Sequence, residues 1–190
     1  FTFDEGYVRA VTRVFVALYE KGYIHKDSYL VNWCPRCGTA ISDLEVAYRD
    51  MPGTLNHIRY EVDGGGSVTI ATTRPETMLG DTAVAVHPDD GRYTDLVGKT
   101  AILPLLGREL KIVADERVDP EFGTGALKLT PAHDLTDFDI GRTHGLEAVQ
   151  AIGQDGRITA AGGPYAGLEV EAAAERVTED LRALGALVKV

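Results

Sequence analysis

The feature that most restricts the fold is the texture of residues 55 to 152, where short apolar runs are cut at close intervals by Gly, Pro and Asp. His57 to Val62 and Val68 to Thr72 flank Asp63-Gly64-Gly65-Gly66, an order that predicts a β-hairpin. Thr82 to His87, Thr100 to Leu103, Glu109 to Val113, Ala126 to Thr130 and Ala148 to Ile152 read as further strands. Short strands at this spacing predict a barrel or a sandwich. The regular strand–helix alternation of a doubly wound sheet is absent. The chain has 190 residues, enough for one domain with appendages and a core that needs no disulfide or metal.

Helices frame the strands. Val8, Val11, Val14, Phe15, Leu18 and Tyr19 repeat at helical spacing within residues 4 to 21, with Thr2 and Glu5 as a capping box and Gly22 as the stop. Leu135 to His144 forms a second helix, with Asp134 as N-cap, Asp137 in the first turn and Gly145 beyond the end. Leu168 to Leu184 forms a third, with Val170, Ala174, Val177, Leu181 and Leu184 on one face. Residues 162 to 167 read as a Gly-rich loop, and Tyr29 to Trp33 as a short strand before the knuckle Cys34-Pro35-Arg36-Cys37-Gly38.

Charge and cysteine content exclude several functions. The net charge is -10, and the excess acidity lies past residue 50. Broad non-specific DNA binding, which requires an excess of Lys and Arg, is thereby disfavoured. No apolar run is long enough to span a bilayer, and the charged amphipathic start does not read as a signal peptide. Two cysteines three positions apart are not a disulfide framework, so a reducing cytoplasm is expected. The chain begins at Phe1, as a piece of a longer polypeptide would. Asn and Gln number two each, which points mildly to a thermophilic source.

Two segments carry candidate chemistry. Thr72-Thr73-Arg74-Pro75-Glu76-Thr77 puts three hydroxyls, a guanidinium and a carboxylate at the end of a predicted strand. Pro75 has no N–H and stops strand pairing, leaving backbone donors free for a polar ligand. An ordinary strand end with turn residues is the plain alternative. The second segment runs from Gly123-Thr124-Gly125 through Lys128 and Thr130 to Pro131-Ala132-His133-Asp134 and Asp137. Its glycines permit close backbone approach. His133, Asp134 and Asp137 suit a metal site, a general acid/base pair, or recognition of a cationic group. Helix capping alone explains the two aspartates but not His133 or Lys128. There is no Gly-x-Ser-x-Gly elbow, no P-loop and no dinucleotide fingerprint, so no covalent nucleophile is indicated. Cys34 and Cys37 are half of a zinc ribbon; a closed tetrahedral site needs two more ligands, and no second pair is present.

These residues together carry a family resemblance. Val31 to Val46, with its Cys-Pro-Arg-Cys-Gly knuckle, resembles the join between the class I aminoacyl-tRNA synthetase core and its connective insertion. Thr72 to Thr77 resembles the threonine-rich element of the editing domains of valyl-, isoleucyl- and leucyl-tRNA synthetases. Gly123 to Gly125 with Pro131-Ala132-His133-Asp134 and Asp137 resembles their second element. Within that trio the pattern is most similar to the valyl form; the isoleucyl form usually has Gly where Asp134 stands. The aminoacylation signatures and the second Cys-x-x-Cys are absent, so an excised insertion that does not activate amino acids is expected.

The resemblance implies a mainly β fold, a closed β-barrel with peripheral helices. Residues 1–50 would join the synthetase core and residues 51–190 form the editing barrel. The implied activity is hydrolysis of the ester of mischarged threonyl-tRNA(Val), and of threonyl-adenylate as a further candidate. In the valyl family the synthetic pocket rejects threonine only about 100-fold. A second site that hydrogen-bonds the threonine hydroxyl would leave valine facing unpaired polar groups. Lys128 and Asp134, with Thr130, are assigned that role, and Asp137 the substrate α-ammonium. Thr72, Thr73, Arg74 and Thr77 would hold the terminal adenosine or the ester carbonyl, with Glu76 and Gly125 completing the binding set. Phe122 would stack on the adenine or wall the amino-acid pocket. Water is the expected nucleophile, and His133 a candidate base. Editing needs no cofactor by this reading; zinc at Cys34 and Cys37 belongs to the full-length protein only. The expected partners are the charged 3′ end of the tRNA and the rest of the synthetase, with no membrane, in a monomer. An isoleucyl- or leucyl-type editing domain is the alternative within the family, and a metal-dependent hydrolase and a non-catalytic tRNA-binding module are the rival classes.

Overall fold

The computed structural model describes residues 1–50 and 52–190. Helix α1 (Glu5–Glu20) is followed by the small hairpin β1 (Asn32–Cys34) and β2 (Thr39–Ile41). The main sheet holds β3 (Asn56–Val62), β4 (Ser67–Thr72), β5 (Ala83–Val86), β6 (Thr100–Ile102), β7 (Glu109–Ala114) and β8 (Ala126–Leu129). Helices α2 (Leu135–His144) and α3 (Val170–Leu184) lie outside it, and β9 (Leu187–Lys189) adds to β3. The ladder runs β4-β3-β6-β7-β5-β8. Strands β4 and β8, the two ends of that order, lie beside each other without a ladder between them among the described residues. The fold is thus mainly β, a nearly closed barrel with peripheral helices.

Alternation sets the core. On β3, Asn56, Ile58, Tyr60 and Val62 point inward, and Ile58 and Tyr60 pair with Ile70 and Val68 of β4. Strand β5 is buried throughout because both its faces are covered. Val84 and Val86 join the barrel core; Ala83 and Ala85 pack with Leu129 and Ile140 under α2. It runs parallel to β7 and antiparallel to β8.

Several expectations need correction. The strand before the knuckle starts at Asn32, not Tyr29. The N-cap of α1 is Asp4, and the carboxylate of Asp4 faces the amino group of Phe1, so the Thr2–Glu5 capping box does not form. Ala148 to Ile152 is not a strand: the N–H groups of Ala151 and Ile152 donate to the His133 ring instead of to a ladder. The Gly-rich stretch is a 3-10 turn, Ala160–Tyr165, kinked at Gly163. Helix α3 begins at Val170 and buries Ala173, Val177 and Leu181, while Leu184 is exposed.

Candidate active site

The unzipped seam between β4 and β8 opens into a cleft of about 480 Å³. Two strand ends deliver the chemistry to it. At the end of β4 and just beyond it, Thr72, Thr73, Arg74 and Thr77 line one side. Phe122 and Gly125 before β8, Lys128 on it, and Thr130, His133, Asp134 and Asp137 beyond it line the other. The structure therefore brings together every residue expected of the site except Glu76.

Pro75 opens a 3-10 turn, Pro75–Gly80, at a position where no N–H is needed. The two buried threonines hold that turn: Thr72 Oγ1 accepts the Arg74 N–H at 3.1 Å, and Thr77 Oγ1 donates to the Arg74 carbonyl at 2.9 Å. Each hydroxyl keeps bonding capacity toward the cleft. Glu76 points inward. Its buried carboxylate lies 3.3 Å from Nε of the half-exposed Arg74, so it aims the guanidinium and does not face the cleft itself.

Behind the cleft lies a buried polar cluster centred on Asp81. Its Oδ1 accepts from Thr130 Oγ1 at 2.7 Å and lies 3.2 Å from Lys128 Nζ, and its Oδ2 accepts the Tyr60 hydroxyl at 2.7 Å. Lys128 Nζ also donates to Thr130 Oγ1. Burial raises the Asp81 carboxyl above the usual carboxylate range, against the pull of the Lys128 charge and the bonds from Thr130, Tyr60 and Lys128. Burial beside Asp81 likewise pushes the Tyr60 phenol well up. The ammonium has three N–H donors and two are engaged here, so one is left for the cleft.

The start of α2 supplies the acidic side. Asp134 caps the helix, with Oδ1 accepting the Asp137 N–H at 3.0 Å, which leaves Oδ2 unused by that bond. Asp137 is buried, and its Oδ2 accepts the Thr130 N–H at 2.8 Å. Burial pushes its carboxyl up to about 7, the Thr130 N–H and the Lys128 charge opposing, and the Asp134 and Asp81 charges adding. His133 Nε2 accepts the N–H of Ala151 at 2.9 Å and of Ile152 at 3.1 Å. Burial, with Arg74 and Lys128 nearby, lowers its pKa to about 4, so the ring is neutral near pH 7. With Nε2 engaged as a double acceptor, His133 acts as a strut; that nitrogen has no lone pair left to serve as a base. Among the described residues, no group of three or more His, Cys, Asp or Glu side chains is placed to hold a metal ion.

Phe122 stands at the rim of the cleft and is 73% exposed. Cys34 and Cys37 lie away from the cleft, at the turn of the β1–β2 hairpin, where the Cys37 N–H points at Cys34 Sγ at 3.4 Å. That N–H and the Cys37 thiol lower the Cys34 pKa. Two thiols are half of a tetrahedral donor set and do not by themselves fit a closed zinc site.

The model of the family described as "tRNA synthetases class I (I, L, M and V)" matches residues 1–176. The chain belongs to the class I tRNA synthetases. Across its whole length it is 58% identical to a valine–tRNA ligase of Geobacter sulfurreducens and, likewise end to end, 54% identical to one of Carboxydothermus hydrogenoformans. It spans 22% of the length of each. A LeuRS of Agrobacterium radiobacter, solved in a ternary complex with tRNA and LeuAMS, shares the fold. Its TM-score is 0.55 at 21% identity, covering 97% of this chain and 32% of that one.

In this synthetase chain, Asp81, Tyr60 and the backbone partners of His133 are site groups that the sequence does not announce. Asp81 stands in Leu79-Gly80-Asp81-Thr82 with no periodic or motif signal. A lone aspartate bordering a strand that is apolar on both faces was the only hint, since such a charge must find a partner if it is buried.

Proposed function

We propose that the cleft hydrolyses the ester of threonyl-tRNA(Val), as the editing site of a valyl-tRNA synthetase of which this chain is a part. The observation that carries the proposal is the residual bonding capacity of the cleft wall. One Lys128 N–H and one Asp134 carboxylate oxygen remain beside the buried Asp137. A threonine side chain can accept from the first and donate to the second. Valine, almost the same shape, leaves both unanswered. Asp137 takes the α-ammonium, a charge-assisted bond that pulls its raised pKa down again on binding and orients the ester. Arg74 and the threonine turn hold the terminal adenosine, and water is the nucleophile. His133 keeps the Asp134–Asp137 helix start in place.

The rest of the synthetase would grip the tRNA phosphates, since this chain carries a net charge of -10. By this reading residues 1–50 lead from the synthetase core into the barrel of residues 51–190, the protein works in the cytoplasm, and editing uses no cofactor. No helix among the described residues is long and apolar enough to cross a membrane.

The test is single-turnover deacylation of threonyl-tRNA(Val) against valyl-tRNA(Val) by the full-length protein, with Asp137→Ala as control. Preferential release of threonine, abolished by the substitution and indifferent to chelator, is expected. Equal rates on both substrates would overturn the reading.

A further inference from the structure

The Gly-Thr-Gly block reads in sequence as a place for close ligand approach. At Gly125 the neighbour that demands glycine is not a ligand. Its φ is 77°, and a Cβ there would collide with Arg92 Nη2 and fall 2.8 Å from the Pro120 carbonyl oxygen and 3.0 Å from Asp90 Oδ2. Gly125 is therefore pressed against a built clasp. Asp90, nearly fully buried, binds the Arg92 guanidinium through both oxygens, with Nε 2.8 Å from Oδ1 and Nη2 2.6 Å from Oδ2. The same Nη2 donates to the Pro120 carbonyl at 2.7 Å. Next to it the Tyr93 hydroxyl donates to the Thr124 carbonyl at 2.7 Å, under a guanidinium 5.4 Å from the ring centre.

The loop held in this way is two consecutive turns, closed by Phe122 N–H to the Asp119 carbonyl and Gly125 N–H to the Phe122 carbonyl. Phe122 is at their junction. Its ring is mostly exposed and belongs to neither hydrophobic cluster, so the backbone alone decides where it stands. A stacking group so poorly packed contributes affinity only if its loop is ordered beforehand.

We propose that Arg92, braced by Asp90, is a positioning residue that fixes residues 119–125 and thereby presents Phe122 to the adenosine end of the substrate. This rests on the editing-site reading above. Lysine cannot replace it, because an ammonium lacks the planar fork that engages Asp90 at both oxygens and still reaches Pro120.

The test uses the full-length protein with Arg92→Gln, Arg92→Lys, Phe122→Ala and the Arg92→Gln/Phe122→Ala pair. Amide exchange in 121–125 should accelerate in both Arg92 variants while β3 stays protected, which also shows that they fold. KM for threonyl-tRNA(Val) should rise about ten-fold with kcat within about two-fold. In the Phe122→Ala background Arg92→Gln should add nothing further to KM. Unchanged exchange in the loop, or an Arg92 effect that persists undiminished without Phe122, would overturn the proposal. If the wild type cleaves no ester, the hydrolase reading falls, and loop exchange by itself decides whether the clasp holds.

Discussion

Asp137 and Thr130 are joined across a change of secondary structure: the Asp137 carboxylate, in the first turn of α2, accepts the Thr130 N–H at 2.8 Å, just beyond β8. The bond satisfies a donor that the strand end would leave free, and it draws a carboxylate into the barrel wall. Burial then raises its pKa, and the electrostatics of the cleft follow from that one placement.

Asp137 should make stability depend on pH in a particular direction. Its folded pKa of about 7 lies above the ordinary 3.8, so the native state holds a proton that the unfolded chain has lost between those values. Its contribution is full below pH 3.8 and is lost as pH rises through about 7. Asp137→Asn should therefore gain roughly 2–4 kcal/mol over wild type at pH 8 and nothing at pH 3.5, read from urea midpoints. The same variant should lose about 100-fold or more in threonyl-ester hydrolysis, having no charge for the α-ammonium.

Removing Asp81 leaves the Lys128 ammonium buried without its counter-ion. Asp81→Ala should cost about 3–5 kcal/mol by chemical denaturation. Adding Lys128→Met should restore most of that loss, because an apolar chain of similar length needs no partner. A double variant no more stable than Asp81→Ala would show that the ion pair is not the source of the cost.

His133 should act through the backbone it accepts from. His133→Ala orphans the N–H groups of Ala151 and Ile152, at a cost of about 1–3 kcal/mol. Because the folded pKa of about 4 lies below the ordinary 6.5, its contribution is present above pH 6.5 and fades as pH falls toward 4. The difference between wild type and variant should shrink across that window in a thermal or urea series.

Asp134 has two roles that separate by substitution. Asp134→Ala should lose the helix cap, about 1 kcal/mol, together with the preference for threonyl over valyl ester. Asp134→Asn should keep the cap, since Asn serves at that position, while altering hydrolysis by presenting an amide where a carboxylate oxygen stood. Deacylation rates on the two esters, measured beside melting curves, distinguish these outcomes.

The strand run and the Asp134-capped helix were readable because period and capping are local properties: the 63–66 turn and Gly145 punctuate them in sequence. Residues 148 to 152 misled for a local reason too. Their apolar composition suits a strand, yet their donors met His133 before any neighbouring strand. The small strand β9 was invisible, since three residues following a helix carry almost no period.

Local chemistry thus settled which groups would face a ligand, as the two strand-ending segments announce Thr72, Arg74, Lys128 and Asp137 by composition and family pattern. Which of those groups stay free is a matter of three-dimensional contact. Asp81 meets Lys128 across 47 positions of chain, and Arg92 reaches Pro120 across 28. A charge buried at such separation is determined by what barrel closure brings within hydrogen-bonding distance, and no periodicity along the chain encodes that distance.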